Sequence, residues 1–155
     1  MTILNSGDKA PDFDLPQDDG STVSLKNLLG HKIILYFYPK DDTSGCTQEA
    51  LEFNQLKSAF TECGAVIFGV SPDSVKSHIK FKAKHNLDFA LISDESKSML
   101  ESYGVWTEKS MYGRKYMGVE RTSFLIDESG FIMKVWPQVK VAGHPAEILS
   151  FIKTK

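Results

Sequence analysis

The chain has 155 residues, of which 41% are hydrophobic and 25% charged, and its formal net charge is -2. This composition is typical of one globular domain and excludes collagenous and disordered classes, while the slight acidity argues against binding to nucleic acid or to an anionic membrane surface. The longest apolar run, residues 33–38, is too short to span a bilayer, and two cysteines are too few for a disulfide scaffold or a Cys-only zinc site.

The first part of the chain alternates predicted strands and helices. Its opening residues lack a basic region followed by an apolar stretch, so we expect no secretory signal and a cytoplasmic protein. The β-branched and aromatic run 33–38 predicts a strand that is buried on both faces and ends at Pro39. Apolar residues at helical spacing predict one long helix over 44–62. Further elements are predicted in this order: a strand at 65–70, a helix at 73–85, a strand at 89–92 and a helix at 97–103.

The second part of the chain predicts a hairpin and a closing helix after an irregular stretch. Residues 104–121 contain three glycines and no clean period, which favours a long and functional loop. Two strands at 122–126 and 131–136 flank a four-residue turn, and a helix follows over 145–153. The pattern therefore predicts one α/β domain over residues 1–155, a three-layer sandwich with a central mixed sheet.

Cys46 lies where the first buried strand gives way to the long helix. Ligands and reactive groups in open α/β sheets lie beyond the carboxyl ends of strands. The first turn of a helix also has unpaired N–H groups and a partial positive charge, and both favour a thiolate, which is the nucleophile in peroxide and disulfide chemistry. The alternative is that Cys46 is a small core residue and that Thr43 or Ser44 is a plain N-cap.

The spacing of Pro39, Thr43 and Cys46 resembles the active-site motif of the peroxiredoxins. Several ordered segments are similar to the Q-type branch, the bacterioferritin comigratory protein family: 7–13, 35–41, 45–50, 69–74, 112–118 and 121–127. This resemblance covers nearly the whole chain. It implies a thioredoxin-like fold and an enzyme that reduces hydrogen peroxide and organic hydroperoxides with thiols, without a metal or another cofactor.

The resemblance also implies roles for individual residues. Cys46 is the peroxidatic nucleophile, whose thiolate becomes a sulfenic acid. The hydroxyl of Thr43 and the backbone N–H groups of Gly45 and Cys46 would donate to the peroxide, and Pro39 would shield the pocket. Arg121 would pair with the thiolate and with the peroxide oxygen.

Two further residues match the active-site chemistry less specifically. Arg114 is the other arginine of the chain and is expected to be a solvated surface charge, whereas Arg121 has the fixed charge and rigid fork that such a site needs. Glu49 also matches the family pattern, but an acidic residue in the first turn of a helix requires no catalytic reason.

The second cysteine departs from the family pattern. Many Q-type members carry a resolving cysteine five residues after the first, where this chain has Leu51, and others carry it in the following helix, where 73–85 has none. Cys63 would lie about 25 Å from Cys46 along a continuous helix, whereas a disulfide needs Cα atoms within about 7 Å. We therefore expect a one-cysteine cycle completed by an external thiol, or by the weaker alternative of an intermolecular Cys46–Cys63 bridge. The resemblance implies a monomer and implies thioredoxin as the reductant, with glutaredoxin or glutathione as alternatives.

Two other functions remain open at this point. A thiol-disulfide oxidoreductase usually carries Cys-x-x-Cys, and here the fourth position is Glu49. A redox-switched holdase would use Cys46 without turnover. His78 and His85 lie seven residues apart on their predicted helix, which is not the i, i+4 spacing of a metal site, and no glycine-rich phosphate loop is present, so we expect neither a metal nor a nucleotide.

Overall fold

The computed structural model describes residues 4–155, and it contains nine strands and six helices in that range. In chain order they are β1 (Asp14–Pro16), β2 (Thr22–Ser24), α1 (Leu25–Leu28), β3 (Lys32–Phe37), α2 (Ser44–Gln55), α3 (Lys57–Glu62), β4 (Ala65–Ser71), α4 (Val75–His85), β5 (Ala90–Ser93), α5 (Ser98–Ser102), β6 (Trp106–Met111), β7 (Arg114–Val119), β8 (Thr122–Ile126), β9 (Ile132–Trp136) and α6 (His144–Lys153).

The apolar run of the first predicted strand forms the middle of a five-stranded sheet. The strand order is β5-β4-β3-β8-β9, with β3, β4 and β5 parallel and with β8 and β9 antiparallel to their neighbours. Side chains of β3 alternate between two core clusters, with Ile33, Leu35 and Phe37 in one and Ile34 and Tyr36 in the other. Burial on both faces is the reason why this strand is apolar from Ile33 to Phe37.

Helices cover both faces of this sheet. One core cluster joins β3 to buried residues of α2, α3, α4 and α6, and the other joins it to α1 and α5. The apolar positions of α2 that the helical spacing predicts, Ala50 and Phe53, are fully buried in the first of these clusters. The predicted three-layer α/β sandwich with a mixed sheet is therefore confirmed.

The predicted long helix over 44–62 is wrong in one respect, because the structure divides it into α2 and α3. Leu56 leaves the helical conformation, and its N–H donates to the carbonyl of Phe53, one residue closer than in an α-helix. The neighbouring Asn54 is tied by its side chain to the backbone of Asn86 and Asp88 in the loop after α4. We infer that this tertiary anchor favours the break, which local helical spacing cannot reveal.

The predicted loop over 104–121 is also wrong, since β6 and β7 form an antiparallel hairpin there. Its turn consists of Tyr112 and Gly113, both with positive φ, as a two-residue hairpin turn of type I′ requires. Most of its side chains are exposed on both faces, so the alternation of apolar and polar residues that marks a half-buried strand is absent. The small β1–β2 hairpin was not predicted either, because its strands have three residues each.

Gly69 on β4 provides a test of the packing beneath the site. A Cβ atom there would lie 2.9 Å from the ring of Tyr36 and from Leu91, and the Tyr36 ring is itself stacked on Phe53 at 4.4 Å. Gly69→Ala is therefore expected to lower the free energy of unfolding by about 1–3 kcal/mol, measured by urea denaturation. Gly118→Ala in the exposed hairpin is the matched control, and equal losses from both variants would contradict this account.

Candidate active site

Cys46 lies in the first turn of α2, directly beyond the carboxyl end of the central strand β3. Thr43 is the N-cap residue of α2 and has extended backbone angles, and its carbonyl accepts the first intrahelical hydrogen bond from Thr47 N–H at 2.8 Å. The sulfur is placed where the unpaired N–H groups of the helix favour negative charge. Its residue is only 1% exposed, so the thiol is sheltered from bulk water.

Arg121 reaches this sulfur from a distant part of the chain. Its Nη2 lies 3.3 Å from Cys46 Sγ, although the two residues are 75 positions apart in sequence. The sheet explains the approach, because β8 begins one residue after Arg121 and pairs Thr122 with Phe37 at the end of β3. The Arg121 side chain is 19% exposed and therefore links the buried sulfur to the surface. Burial lowers its pKa, but Glu49 and Cys46 raise it by more, so the guanidinium remains charged.

Glu49 is the site residue that sequence analysis underestimated. Its side chain is fully buried, and Oε1 accepts a hydrogen bond from Arg121 Nη1 at 2.7 Å, so the guanidinium bridges Glu49 and Cys46. The expectation placed Glu49 in the first turn of the helix and is wrong, because the first turn of α2 (Ser44–Gln55) contains no acidic residue. The helix N-terminus therefore does not account for Glu49. One available signal was the spacing of three residues from Cys46, since residues at i and i+3 are neighbours on a helix surface.

The surroundings of Glu49 change its acidity. Burial raises the pKa of Glu49 from 4.5 to about 7, against the opposing effect of Arg121. The second carboxyl oxygen, Oε2, is buried and has no hydrogen-bond partner among residues 4–155, and the same holds for the hydroxyl of Tyr36. Burial and the nearby negative charges of Glu49 and Cys46 raise the pKa of Tyr36 well above its usual value, so this phenol stays protonated.

The raised pKa of Glu49 gives a prediction about stability. Between pH 4.5 and about pH 7, the folded protein holds a proton on Glu49 that the unfolded chain has lost. The free energy of unfolding therefore falls as pH rises through this range. Glu49→Gln removes this contribution. Across that range we expect the wild-type protein to lose about 3 kcal/mol relative to the variant, measured by urea denaturation at a series of pH values. A constant difference between the two proteins would contradict the expectation.

The other predicted site residues occupy different positions around the sulfur. Gly45 lies beneath the guanidinium, since a Cβ on it would be 3.5 Å from Arg121 Nη2. Pro39 is partly buried and follows β3 by two residues. The exposed Thr43 donates its hydroxyl to the carbonyl of Lys40 at 3.0 Å, so it must leave that bond to donate to a peroxide.

The second thiol lies at the other end of the helical segment. Cys63 follows α3 as its C-cap and is partly exposed, and both cysteines are free. The rest of α2 and all of α3 separate it from Cys46 in the chain. Leu51, which stands where many Q-type members have a resolving cysteine, is 38% exposed on α2.

One group of side chains within residues 4–155 brings three possible metal ligands together. Atoms of Asp41, Asp73 and His78 lie within 4.8 Å of one another. Both carboxylates already accept hydrogen bonds from protein groups, among them Tyr38, Ser77 and Ser71. The group is therefore a hydrogen-bond network. In the same range of residues, no helix is both long and apolar enough to cross a bilayer.

Comparisons with known proteins agree on one family. The family model described as the AhpC/TSA family matches residues 6–135. A putative peroxiredoxin bcp of Coxiella burnetii is 54% identical over 94% of this chain and 97% of its own length. The peroxiredoxin Bcp of Bacillus subtilis is 50% identical over 99% of this chain and 97% of its own length.

Solved structures extend the likeness to the fold. A structure of the bacterioferritin comigratory protein of Xanthomonas campestris, whose description concerns its alkyl peroxide reduction activity, has 42% identity and a TM-score of 0.88, covering 92% of this chain and 90% of that one. The predicted thioredoxin-like fold and the predicted family are thereby confirmed. The chain belongs to the AhpC/TSA family and, within it, to the Q-type or bacterioferritin comigratory protein peroxiredoxins, which are thiol-dependent peroxidases.

Proposed function

We propose that Cys46 is the peroxidatic residue of this peroxiredoxin. Its thiolate attacks one oxygen of a hydroperoxide, so that an S–O bond forms while the O–O bond breaks. The sulfur is oxidised to a sulfenic acid, and the leaving oxygen is reduced and takes up a proton to become water or an alcohol. An external thiol then attacks the sulfenic acid, so that an S–S bond forms as water leaves, and a second thiol breaks this mixed disulfide and releases Cys46 and an external disulfide.

The contact between Arg121 and Cys46 carries this proposal. A guanidinium 3.3 Å from the sulfur stabilises the thiolate. Its remaining N–H groups can donate hydrogen bonds to the leaving oxygen as negative charge develops there. Glu49 acts through Arg121 as a positioning residue, because the hydrogen bond of 2.7 Å from Arg121 Nη1 to Glu49 Oε1 fixes the orientation of the guanidinium. Gly45 leaves room for that fork, and its N–H group and that of Cys46 serve as donors.

Thr43 and Pro39 complete the proposed pocket. The hydroxyl of Thr43 turns from the Lys40 carbonyl towards the peroxide when substrate binds, and Pro39 limits access of water to the sulfur. The position that would hold the second cysteine of a Cys-x-x-Cys motif is Glu49, which is engaged with Arg121. This arrangement favours the peroxidase over a thiol-disulfide oxidoreductase.

We infer a broad substrate range and an external reductant. The alkyl peroxide reduction named for the Xanthomonas campestris relative supports organic hydroperoxides as substrates beside hydrogen peroxide. Thioredoxin is the proposed reductant, with glutaredoxin or glutathione as alternatives. Two unpaired cysteines fit a reducing compartment, so we propose that the protein acts in the cytoplasm. We also propose a monomer of one domain, on the resemblance to the Q-type branch.

The one-cysteine cycle makes a prediction about Cys63. Because two helices separate it from Cys46, Cys63→Ser is expected to retain most of the turnover with thioredoxin supplied. Turnover is measured as steady-state peroxide consumption coupled to NADPH oxidation by thioredoxin reductase. Loss of turnover in Cys63→Ser, with normal oxidation of Cys46 in a single reaction, would show that Cys63 resolves the sulfenic acid.

Mass spectrometry of peroxide-treated protein tests the proposal as a whole. One equivalent of peroxide is added in the presence of dimedone, which traps sulfenic acids. We expect the adduct on Cys46 and none on Cys63. An unmodified Cys46 under conditions that consume peroxide would refute the assignment, and a linkage between Cys46 and Cys63 would refute the one-cysteine cycle.

A further inference from the structure

The loop between β3 and α2, residues 38–43, is held against α4 by a buried carboxylate. Asp41 accepts hydrogen bonds from the hydroxyl of Tyr38 at 2.6 Å and from that of Ser77 at 2.8 Å. Nδ1 of His78 lies 2.7 Å from the same carboxylate. The backbone N–H of Asp41 donates to Asp73 just before α4, at 2.8 Å. Ser77, His78 and Asp73 thus connect Asp41 to α4 and its N-terminal end, whereas Tyr38 holds Asp41 from within the loop.

The hydrogen bonds of His78 define its protonation. Nε2 faces the carbonyl oxygen of Ile92 on β5 at 3.0 Å, and a carbonyl can only accept, so Nε2 carries a proton. Nδ1 faces the Asp41 carboxylate, which also accepts hydrogen bonds from two hydroxyls. The geometry points to a charged pair in which the fully buried His78 ring donates from both nitrogens, one to Ile92 and one to Asp41.

The other groups around this ring agree with that assignment. The charged groups that face it are Asp41 from the loop and Asp73 from the start of α4, while β5 presents the carbonyl of Ile92. Tyr38 at the end of β3 stays protonated, because burial first, and then nearby Tyr36 and Asp41, raise its pKa well above the usual value. A buried imidazolium between two acidic side chains is electrostatically compensated.

The loop shape that this pair maintains is not a relaxed one. Asp42 adopts a positive φ of 61°, which is uncommon for a residue other than glycine. Its carboxylate is held by Lys84 at 2.7 Å and by His85 at 3.0 Å, both at the end of α4. One helix therefore holds two consecutive loop residues, one inside the protein and one at its surface.

We propose that the ion pair between Asp41 and His78 positions the loop that leads into Cys46, and that both are positioning residues for the peroxidase reaction. The inference rests on the proposed role of Cys46. The loop ends at Thr43 and leads directly into Gly45 and Cys46, whose N–H groups must meet the peroxide. A displacement of about 1 Å in such donors can lower a rate constant about 100-fold.

A pair of matched variants tests the positioning role of Asp41. Asp41 and Asp18 are equally buried, at 8%, and each pairs with a cation on α4, His78 for Asp41 and Lys82 for Asp18. Asp18 packs against β5, where it accepts from Leu91 N–H, and has no hydrogen bond to the Cys46 loop. Both Asp→Asn variants should lower the urea midpoint, so that stability alone does not separate them.

The rate of Cys46 oxidation separates them. We expect Asp41→Asn to lower the second-order rate constant with hydrogen peroxide by between about 10-fold and 100-fold, and Asp18→Asn to leave it unchanged. Alkylation of Cys46 by iodoacetamide should change in the opposite direction, becoming faster in Asp41→Asn, because the loop no longer shelters the sulfur. Ser77→Ala removes one hydrogen bond and no charge. It should slow Cys46 oxidation and speed Cys46 alkylation, each by less than Asp41→Asn does, and it replaces Asp41→Asn in the test if that variant does not fold.

Nitrogen-15 NMR of the histidine rings provides an independent signature. In the wild-type protein at neutral pH, His78 should show two protonated ring nitrogens, and Asp41→Asn should remove one of these protons. A ring with one bare nitrogen in the wild-type protein would overturn the ion pair. Equal losses of rate in Asp41→Asn and Asp18→Asn, or no loss in Asp41→Asn and Ser77→Ala, would overturn the positioning role.

The controls distinguish a failed inference from a failed proposed function. If Cys46→Ser is inactive while Asp41→Asn reacts like the wild-type protein, the function stands and the inference is wrong. If Cys46→Ser still consumes peroxide, the proposed function is wrong, and alkylation of Cys46 then decides the inference. Faster alkylation in Asp41→Asn but not in Asp18→Asn supports the inference that Asp41 positions the loop before Cys46. Equal alkylation in the two variants overturns that inference.

Discussion

Cys46→Ser is expected to abolish peroxide reduction. A serine hydroxyl is not ionised at neutral pH and cannot form a sulfenic acid, so neither attack on the O–O bond nor regeneration by a thiol is possible. The helix N-terminus and Arg121 would remain in place, since serine is close in size to cysteine and Cys46 packs among residues of one core cluster. The measurement is peroxide consumption with thioredoxin, thioredoxin reductase and NADPH.

The matched control for this variant is Cys63→Ser. It removes the other thiol of the chain, at the end of α3, and leaves the groups around Cys46 unchanged. Comparable activity of Cys46→Ser and the wild-type protein would contradict the assignment of the nucleophile. A cysteine-free double variant that still prevents aggregation of a test protein would instead favour a holdase function that needs no thiol.

Removal of the guanidinium beside the sulfur is expected to have the second largest effect. Arg121→Gln should lower kcat/KM for hydrogen peroxide by about 10²–10³-fold, as does the loss of a preorganised donor in other active sites. The variant loses both the positive charge at 3.3 Å from Cys46 Sγ and the partner of the buried Glu49. Burial of an unpaired carboxylate is costly, so a lower urea midpoint is also expected.

Two further substitutions distinguish charge from geometry at this position. Arg121→Lys keeps the charge but cannot bridge Glu49 and Cys46 with a planar fork, so its activity should lie between those of Arg121→Gln and the wild-type protein. Arg114→Lys in the exposed β7 strand is the matched control and should leave kcat/KM unchanged. Full activity of Arg121→Gln would show that the helix N-terminus alone supports the reaction.

Much of the fold follows from local patterns in the sequence. The run 33–38 predicts a central strand, because a strand that is covered on both faces is apolar throughout. In the structure β3 indeed lies between two neighbours in the sheet, β4 and β8. The turn at 127–130 likewise predicts the β8–β9 hairpin from its Asp, Ser and Gly residues. The position of Cys46 after this strand was sufficient to mark it as a candidate nucleophile.

Other features had no local signal. The β6–β7 hairpin is exposed on both faces, so burial did not impose an alternating pattern on its residues. The break at Leu56 lies beside Asn54, which contacts a loop more than thirty residues away. The pairing of Glu49 with Arg121 depends on the sheet register, since residue 121 approaches α2 only because β8 lies beside β3.

The sequence by itself determined most of the order of strands and helices, the family and the candidate thiol, because these depend on hydrophobic period, turn residues and a motif of neighbouring positions. The resemblance also implied the pairing of Arg121 with that thiol, but only the tertiary structure decided that Glu49 joins Arg121 and that Asp41 pairs with His78. These groups come together through strand pairing and helix packing between distant segments. Such contacts leave no periodic trace in the chain, since a buried charge is located by its partner and not by its neighbours in sequence.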